Sequence, residues 1–453
     1  MLFAALPGTK ADGLAFAKDA AQRGAAAILA GADAKPDAVD LPFLRAAEPR
    51  RALALLAARF YGAQPKTVAA VTGTNGKTSV AAFTRQIWAA IGFEAASLGT
   101  IGIVTGRGET PLEHTTPDPV SLHKHLARLA AEGVTHLALE ASSHGLDQHR
   151  LDGVRFAAGA FTNLTRDHLD YHPTFEHYLN AKLRLFRELL EPGTPAVIDA
   201  DSPGAEIVIE AAQSARLKVW TVGGNGGGIA LLEAERKGFK QRLSLAQDGR
   251  RFTVDLPLAG RFQVSNALVA AGLALALGAS ADDVFPVLSK LQGAKGRLDY
   301  AGETAAGAPV FVDYAHTPDA LVKALQALRP YVQGRLHVVF GCGGDRDKGK
   351  RPEMGWAAVS NAEAVYVTDD NPRSEDPAVI RSEILAAAPG AIEIANRADA
   401  IAAAIRALNK GDVLLVAGKG HETGQIAGKT VIPFSDHEAV AAALAAVRMQ
   451  ANE

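Results

Sequence analysis

From residue 67 onward, short apolar runs alternate with longer stretches whose apolar positions recur at helical spacing. Strands are predicted at 68–72, 136–140, 157–162 and 196–199, and helices after Lys77 and across 175–190. This alternation marks a mainly parallel sheet covered by helices. Residues 218–258 change to short alternating strands around glycine-rich turns, and an alanine-rich helix follows across 267–279. A further set of strands at 310–313, 336–341, 364–368 and 413–417, with helices between, predicts a second open α/β sheet. The first 62 residues offer a strand at 2–6, a Pro7-Gly8 turn, a helix at 14–23 and a strand at 26–30, and the Gly-Ala-Gln-Pro stretch 62–65 reads as a linker. The expected class is α/β in three domains: a small, N-terminally short domain (1–62), a central domain with a mainly parallel sheet (63–298), and a C-terminal open α/β sheet (299–453).

Composition narrows the picture. A chain of 453 residues exceeds one core, and 48% hydrophobic residues suit tightly packed layers. The formal net charge of −2 provides no global field for nucleic acid or an acidic membrane, so neither is an expected partner. The single Cys342 excludes an internal disulfide and fits a reducing cytoplasm. The apolar run 267–279 is shorter than the about 20 residues that span a bilayer. With no export signal legible at the N-terminus, a cytoplasmic location is expected.

The chemistry begins where strand 68–72 breaks into Gly73-Thr-Asn-Gly-Lys-Thr78-Ser79. A strand turning through glycines into a helix start aims backbone N–H groups and the helix dipole at an anion. Lys77 then neutralises phosphate charge and Thr78 can hold Mg²⁺. The G-x-x-x-x-G-K-[ST] pattern wants its first glycine where this chain has Val71. A bound ATP or GTP is expected. Glu140 ends a strand, at the edge where α/β sheets collect ligands, and reads as a Mg²⁺ ligand or a helix-capping carboxylate. Polar residues crowd the stretch Asn163-Leu-Thr-Arg-Asp-His-Leu-Asp-Tyr-His172, where His168 is either structural or a metal ligand.

Lys182 falls inside the apolar stripe 175, 178/179, 185/186, 189 of its helix. It either snorkels outward or sits desolvated with a depressed pKa and a nucleophilic amine. Three charged loops each follow a strand of the last sheet: Gly341-Cys-Gly-Gly-Asp-Arg-Asp-Lys-Gly-Lys-Arg351, Asp369-Asp-Asn-Pro-Arg-Ser-Glu-Asp-Pro377 and Gly418-Lys-Gly-His-Glu422. Together they suggest a binding rim, with Arg373 offering the planar fork that pairs with carboxylates. Cys342 reads as a packed residue.

These motifs together resemble the Mur ligase family, the ATP-dependent ligases that build the peptidoglycan stem peptide, over nearly the whole chain. The resemblance implies that Gly73, Thr74, Asn75, Gly76, Lys77, Thr78 and Ser79 cradle the phosphates, and that Asn266, Arg297 and Asp313 contact adenine, phosphate and ribose. It assigns the muramoyl-peptide site to Thr115, Thr116, Ser142, Gln148 and Arg150, metal roles to Thr78, Glu140 and His168, and catalytic roles to Lys77, His168 and Lys182. Lys182 matches a lysine carried as a carbamate that helps hold a second Mg²⁺. Arg346, Asp370, Asn371, Pro372, Arg373, Gly418 and Glu422 match the incoming amino-acid site. Asp-Asn-Pro-Arg is the form associated with meso-diaminopimelate, which Arg373 would clamp by its far carboxylate while Glu422 takes the amine. The implied partners are UDP-N-acetylmuramoyl-dipeptide and meso-diaminopimelate, acting on a monomer, through an acyl phosphate. Family members carry an Asp-Ser-Arg segment ahead of the strand matching 2–6. Here the chain starts at that strand, which leaves Thr9, Lys10 and Ala11 as the remaining position near the nucleotide sugar. Related ligases that build folylpolyglutamate or add D-alanyl-D-alanine are disfavoured by Thr115-Thr116 and the Asp-Asn-Pro-Arg loop. A nucleotide switch would leave Lys182 and the three loops unexplained.

Overall fold

The computed structural model describes residues 1–8, 11–34, 39–168 and 171–450. Thr9 and Lys10, expected near the nucleotide sugar, lie outside the described residues. The chain divides into two compact units. One comprises Met1–Leu232, Ser244–Phe252 and Ser265–Leu288, and the other Glu233–Leu243, Thr253–Val264 and Ser289–Glu453.

The first unit opens with a small parallel sheet of Leu2–Ala4, Ala27–Gly31 and Phe43–Ala46. Neither its third strand nor the helix Pro49–Tyr61 after it was expected from the sequence. The expected helix at 14–23 is a 3₁₀ turn, Gly13–Phe16, that passes into the short helix Ala17–Gln22. The large sheet runs parallel through Lys218–Gly223, Pro195–Asp199, Ala158–Phe161, Thr67–Thr72, His136–Glu140 and Ala95–Gly99. The inner strands Thr67–Thr72 and Ala158–Phe161 are buried almost throughout, as strands of a parallel sheet are. Thr67–Thr72 lies centrally, so the loop after it is flanked by the loops after Ala158–Phe161 and His136–Glu140. Its core joins Val68, Leu98, Leu139, Phe161 and Ile198 to Leu122, Leu126 and Phe186 from the helices.

The helix expected across 175–190 is α-helical only over Phe175–Arg184, and a π-helical turn, Leu185–Leu189, follows. The wider turn is closed by Leu190 N donating to Leu185 O at 3.1 Å, and it carries Leu185, Phe186 and Leu190 into the core. The buried face is 178, 181/182 and 185, so Phe175, expected on that face, is 43% exposed. The alanine-rich helix starts at Arg261 and is buried around most of its circumference from Ala267 to Leu273.

The second unit carries the sheet Asp299–Glu303, Pro309–Asp313, Val413–Ala417, Leu336–Phe340, Ala364–Val367, Ile392–Glu393 in that order, parallel after its first, antiparallel pair. Strand alternation splits its apolar residues between two cores. Phe311, Val338, Phe340 and Leu415 meet Leu321, Leu325, Met354 and Ile384 on one face, and Val310, Val312, Val339 and Leu414 meet Ile401, Ile405, Val440 and Leu444 on the other. Two covered faces leave the carboxyl edge as the place for polar loops.

Candidate active site

The phosphate loop is held by backbone necessity. Gly73 and Gly76 have φ of 142° and 88°, in the left-handed region that side chains avoid. A Cβ at Gly73 would stand 1.9 Å from Thr162 Oγ1, and one at Gly76 would stand 2.3 Å from Asn266 Oδ1. Helix Lys77–Ala90 begins directly after this turn. The neighbouring 162–165 loop braces it: Thr74 N donates to Asn163 O (2.8 Å), Asn75 N to Asn163 Oδ1 (3.1 Å), and Thr162 Oγ1 to Asn75 O (2.6 Å). Lys77 Nζ donates to Gly73 O (3.0 Å) and Thr74 O (2.8 Å), which fixes its charge against the loop.

Glu140, at the end of the strand beside the loop, is buried and receives three donors. Thr78 Oγ1 reaches its Oε2 at 3.0 Å, Thr100 Oγ1 the same oxygen at 3.1 Å, and Thr100 N its Oε1 at 2.8 Å. Thr100 Oγ1 also shares a hydrogen bond with Thr115 Oγ1 at 3.0 Å. Thr116 Oγ1 donates to Glu140 O (2.8 Å) and receives Ser142 N (3.1 Å), and Arg150 Nη1 donates to Thr116 O (2.6 Å). Gln148 Oε1 accepts from Arg150 Nη2 (2.8 Å), and its Nε2 donates to Tyr171 (3.0 Å). One continuous network thus links the residues expected at the phosphate with those expected at the muramoyl peptide.

Lys182 is 1% exposed and does not snorkel. Its Nζ donates to Gly73 O at 2.7 Å and lies 4.4 Å from the centroid of the Tyr178 ring. Burial, reinforced by the charge of Lys77, pushes its pKa well below the usual lysine value. Tyr178, which sequence reading missed, hydrogen-bonds Thr74 Oγ1 at 2.9 Å and is itself pushed upward by burial. His168 has a positive φ of 54° and is 43% exposed in its side chain, with its ring 5.0 Å from that of His144 and 6.1 Å from Tyr178. Tyr178 is therefore a neighbour of both His168 and Lys182. Asn266 packs on Gly76 in this unit, whereas Arg297 and Asp313 belong to the other.

In the second unit, Asp313 accepts Leu298 N (2.6 Å) and Ala315 N (2.8 Å). Its burial raises the carboxyl pKa even though Arg297 stands near. The rim is built by side chains locking one another. Fully buried Lys419 donates to Asn371 Oδ1 (2.9 Å), Glu422 Oε2 (3.2 Å) and Gly424 O (2.8 Å), and Asn371 Nδ2 donates to Glu422 Oε2 (2.9 Å). The hairpin Gly424–Ala427 and Thr430–Pro433 continues the lock: Ile426 N donates to Asn371 Oδ1 (2.9 Å) and Arg373 N to Ile426 O (2.9 Å). Arg373, at φ 51°, turns its Nη1 to Gly344 O at 2.9 Å, and Gly344 N donates to Asn371 O at 2.9 Å. A Cβ at Gly418 would stand 2.7 Å from Asp370 Oδ2, and one at Gly344 would stand 1.9 Å from Pro372 O. Arg346 is exposed on the 341–349 loop, its charge acting on Tyr314. Burial pushes the Cys342 thiol up to about 12, the behaviour of a packed residue. Lys419 was visible in its motif, yet only the fold reveals it as the tie between two loops.

Two family models cover most of the chain: the Mur ligase middle domain matches residues 71–274, and the Mur ligase glutamate ligase domain matches 296–420. A relative from Bradyrhizobium diazoefficiens, named UDP-N-acetylmuramoyl-L-alanyl-D-glutamate--2,6-diaminopimelate ligase, is 61% identical over 98% of this chain and 92% of its own. The chain belongs to the Mur ligase family. A second relative of the same name, from Brucella melitensis, is 58% identical over 98% of this chain and 91% of its own. Among solved structures, one carrying that ligase name aligns with a TM-score of 0.72 at 33% identity, over 99% of this chain and 92% of its own. The MurF ligase of Thermotoga maritima, solved with ADP, shares the Mur ligase fold at a TM-score of 0.62 and 20% identity, over 99% of this chain and 95% of its own. No described helix of this Mur ligase is long and apolar enough to cross a membrane.

Proposed function

We propose that this Mur ligase joins meso-diaminopimelate to UDP-N-acetylmuramoyl-L-alanyl-D-glutamate, with ATP cleaved to ADP and phosphate. The relatives' names supply the substrates. The observation that carries the reading is Glu140, whose carboxylate ties Thr78 of the phosphate loop to Thr100 and, through it, to Thr115. Such a link suits a reaction in which a triphosphate and an acceptor carboxylate meet.

In this reading a γ-carboxylate oxygen of the D-glutamyl residue attacks the γ-phosphorus, the bond to the β-phosphate oxygen breaks, and ADP leaves. The diaminopimelate amine then adds to the acyl carbon, loses a proton, and expels phosphate as the amide forms. Lys77 and the loop N–H groups stabilise the transferring phosphoryl charge. Thr115, Thr116, Ser142, Gln148 and Arg150 hold the acceptor, and Asn266, Arg297 and Asp313 the nucleotide. Thr78 and Glu140 offer hard oxygen ligands that fit Mg²⁺, which supplies charge neutralisation when bound, and His168 is assigned to the same role. The buried amine of Lys182 fits a carbamate: its lone pair adds to CO₂, one N–H proton leaves, and the remaining N–H can keep its bond to Gly73 O. Arg373 takes the distal carboxylate of diaminopimelate and Glu422 its ammonium, with Arg346, Asp370, Asn371, Pro372 and Gly418 shaping that pocket. The proposed division is an N-terminal domain (1–62), an ATP-binding domain (63–298) and an amino-acid domain (299–453), acting as a cytoplasmic monomer.

The test is ADP release with the muramoyl dipeptide and either meso-diaminopimelate or L-lysine. Turnover is expected with the first. Turnover with lysine alone overturns the specificity, and ADP release independent of any amino acid overturns the ligase reading.

A further inference from the structure

A second cluster with metal chemistry stands beside the residues assigned above. Asp147 ends the short helix Ser143–Asp147, His172 precedes the helix Phe175–Arg184, and His177 lies in that helix's first turn. One ligating atom from each lies within 4.8 Å of the other two. His172 Nδ1 is 2.9 Å from His177 Nδ1, and His177 Nε2 is 3.7 Å from Asp147 Oδ1. The set is graded in burial: His172 is fully buried, while the side chains of Asp147 and His177 are 27% and 46% exposed. That combination gives a fixed anchor with an open side for an ion to enter.

The donor set and its spacing suit a cation. Metal–nitrogen bonds of about 2.0–2.1 Å separate neighbouring ligands by roughly 3.3 Å in tetrahedral geometry, so small side-chain adjustments bring these atoms onto one ion. Imidazole with a single carboxylate suits zinc, nickel or cobalt, whereas Mg²⁺ prefers oxygen donors.

We propose that Asp147, His172 and His177 form a binding site for a divalent cation of the zinc class, separate from the oxygen-lined site at Thr78 and Glu140. The site is wired to the acceptor residues. The Tyr171 hydroxyl donates to Asp147 Oδ2 at 2.7 Å and accepts from Gln148 Nε2 at 3.0 Å, and Gln148 in turn holds Arg150. An ion drawing on Asp147 shifts that chain, so its occupancy changes the KM for the muramoyl dipeptide. This consequence rests on the proposed function, while the binding itself does not.

The experiment uses Co²⁺ as the probe on the full chain, stripped with chelator and held in excess Mg²⁺ and ADP. A single equivalent is expected to bind with the visible absorption of low-coordinate, nitrogen-ligated cobalt, and Zn²⁺ is expected to bleach it. His177→Ala and Asp147→Ala should each weaken binding by more than the roughly 10-fold typical of outer-shell changes, and His168→Ala should retain it. Circular dichroism of the metal-free variants confirms that they fold. Absence of stoichiometric Co²⁺ binding overturns the proposal. So does a signal lost in His168→Ala and kept in His177→Ala, which places the ion at the catalytic site, whatever the outcome of the ADP-release test.

Discussion

In the proposed function the phosphate loop and the amino-acid rim have comparable tasks, each presenting charge to a charged ligand at the carboxyl edge of a mainly parallel sheet. They are built differently. In the loop, geometry comes from the main chain: two glycines at positive φ, a helix start, and carbonyls that hold Lys77 and Lys182. In the rim, geometry comes from side chains locking side chains, with Lys419, Asn371 and Glu422 joining two loops and a hairpin. A loop set by its backbone tolerates little change in its own residues. A rim set by side-chain pairing depends on residues that never touch the ligand.

The largest effect expected from this contrast is on the loop side. Lys77→Met removes the charge held against the phosphates and should lower turnover by about 10²–10³-fold, as loss of a transition-state charge partner does. The check is ADP release at saturating substrates, and turnover within a few-fold of wild type breaks the backbone-cradle account. On the rim side, Lys419→Met leaves Glu422 and Asn371 without their buried cation. The KM for diaminopimelate should rise by about 10–100-fold while the KM for ATP stays fixed, since removing one partner of a buried pair is costly. Equal changes in both constants would show that Lys419 merely supports the fold.

The smallest effect separates the two lysines by pH. The folded-state pKa of Lys182 is lowered, so between that value and the ordinary lysine value the unfolded chain binds more protons, and stability rises with pH across that window. In CO₂-free buffer, Lys182→Met should remove this slope, so any stability gain over wild type is greatest at low pH and shrinks as pH rises. Parallel melting curves for the two proteins across that window would contradict a desolvated amine.

The loop was legible because its requirements are local. Glycine at positive φ, an apolar strand before it and a helix after it all lie within a dozen residues. The central strands of both sheets were legible for the same reason, as continuous apolar runs, whereas Ala95–Gly99, Asp299–Glu303 and Ile392–Glu393 were not. The π turn at Leu185–Leu189 and the exposure of Phe175 were not, since the stripe fits either a straight helix or a widened one until the core selects. For Lys182, periodicity left two fates open, and only the carbonyl of Gly73 and the ring of Tyr178 decide between them.

The sequence by itself determined that this chain folds as α/β layers, that a glycine-rich Gly-Lys-Thr turn follows a central strand, and that charged loops follow the strands of the last sheet. Those features follow from patterns of spacing three, four or two residues long, which the chain carries wherever it folds. Tertiary structure alone decided that Glu140 joins Thr78 to Thr100, that Lys419 ties Asn371 to Glu422, and that His172 meets His177 and Asp147. Glu140 lies 62 residues from Thr78, and Lys419 lies 48 from Asn371. At such separations no local preference specifies a partner. The packing of strands side by side does.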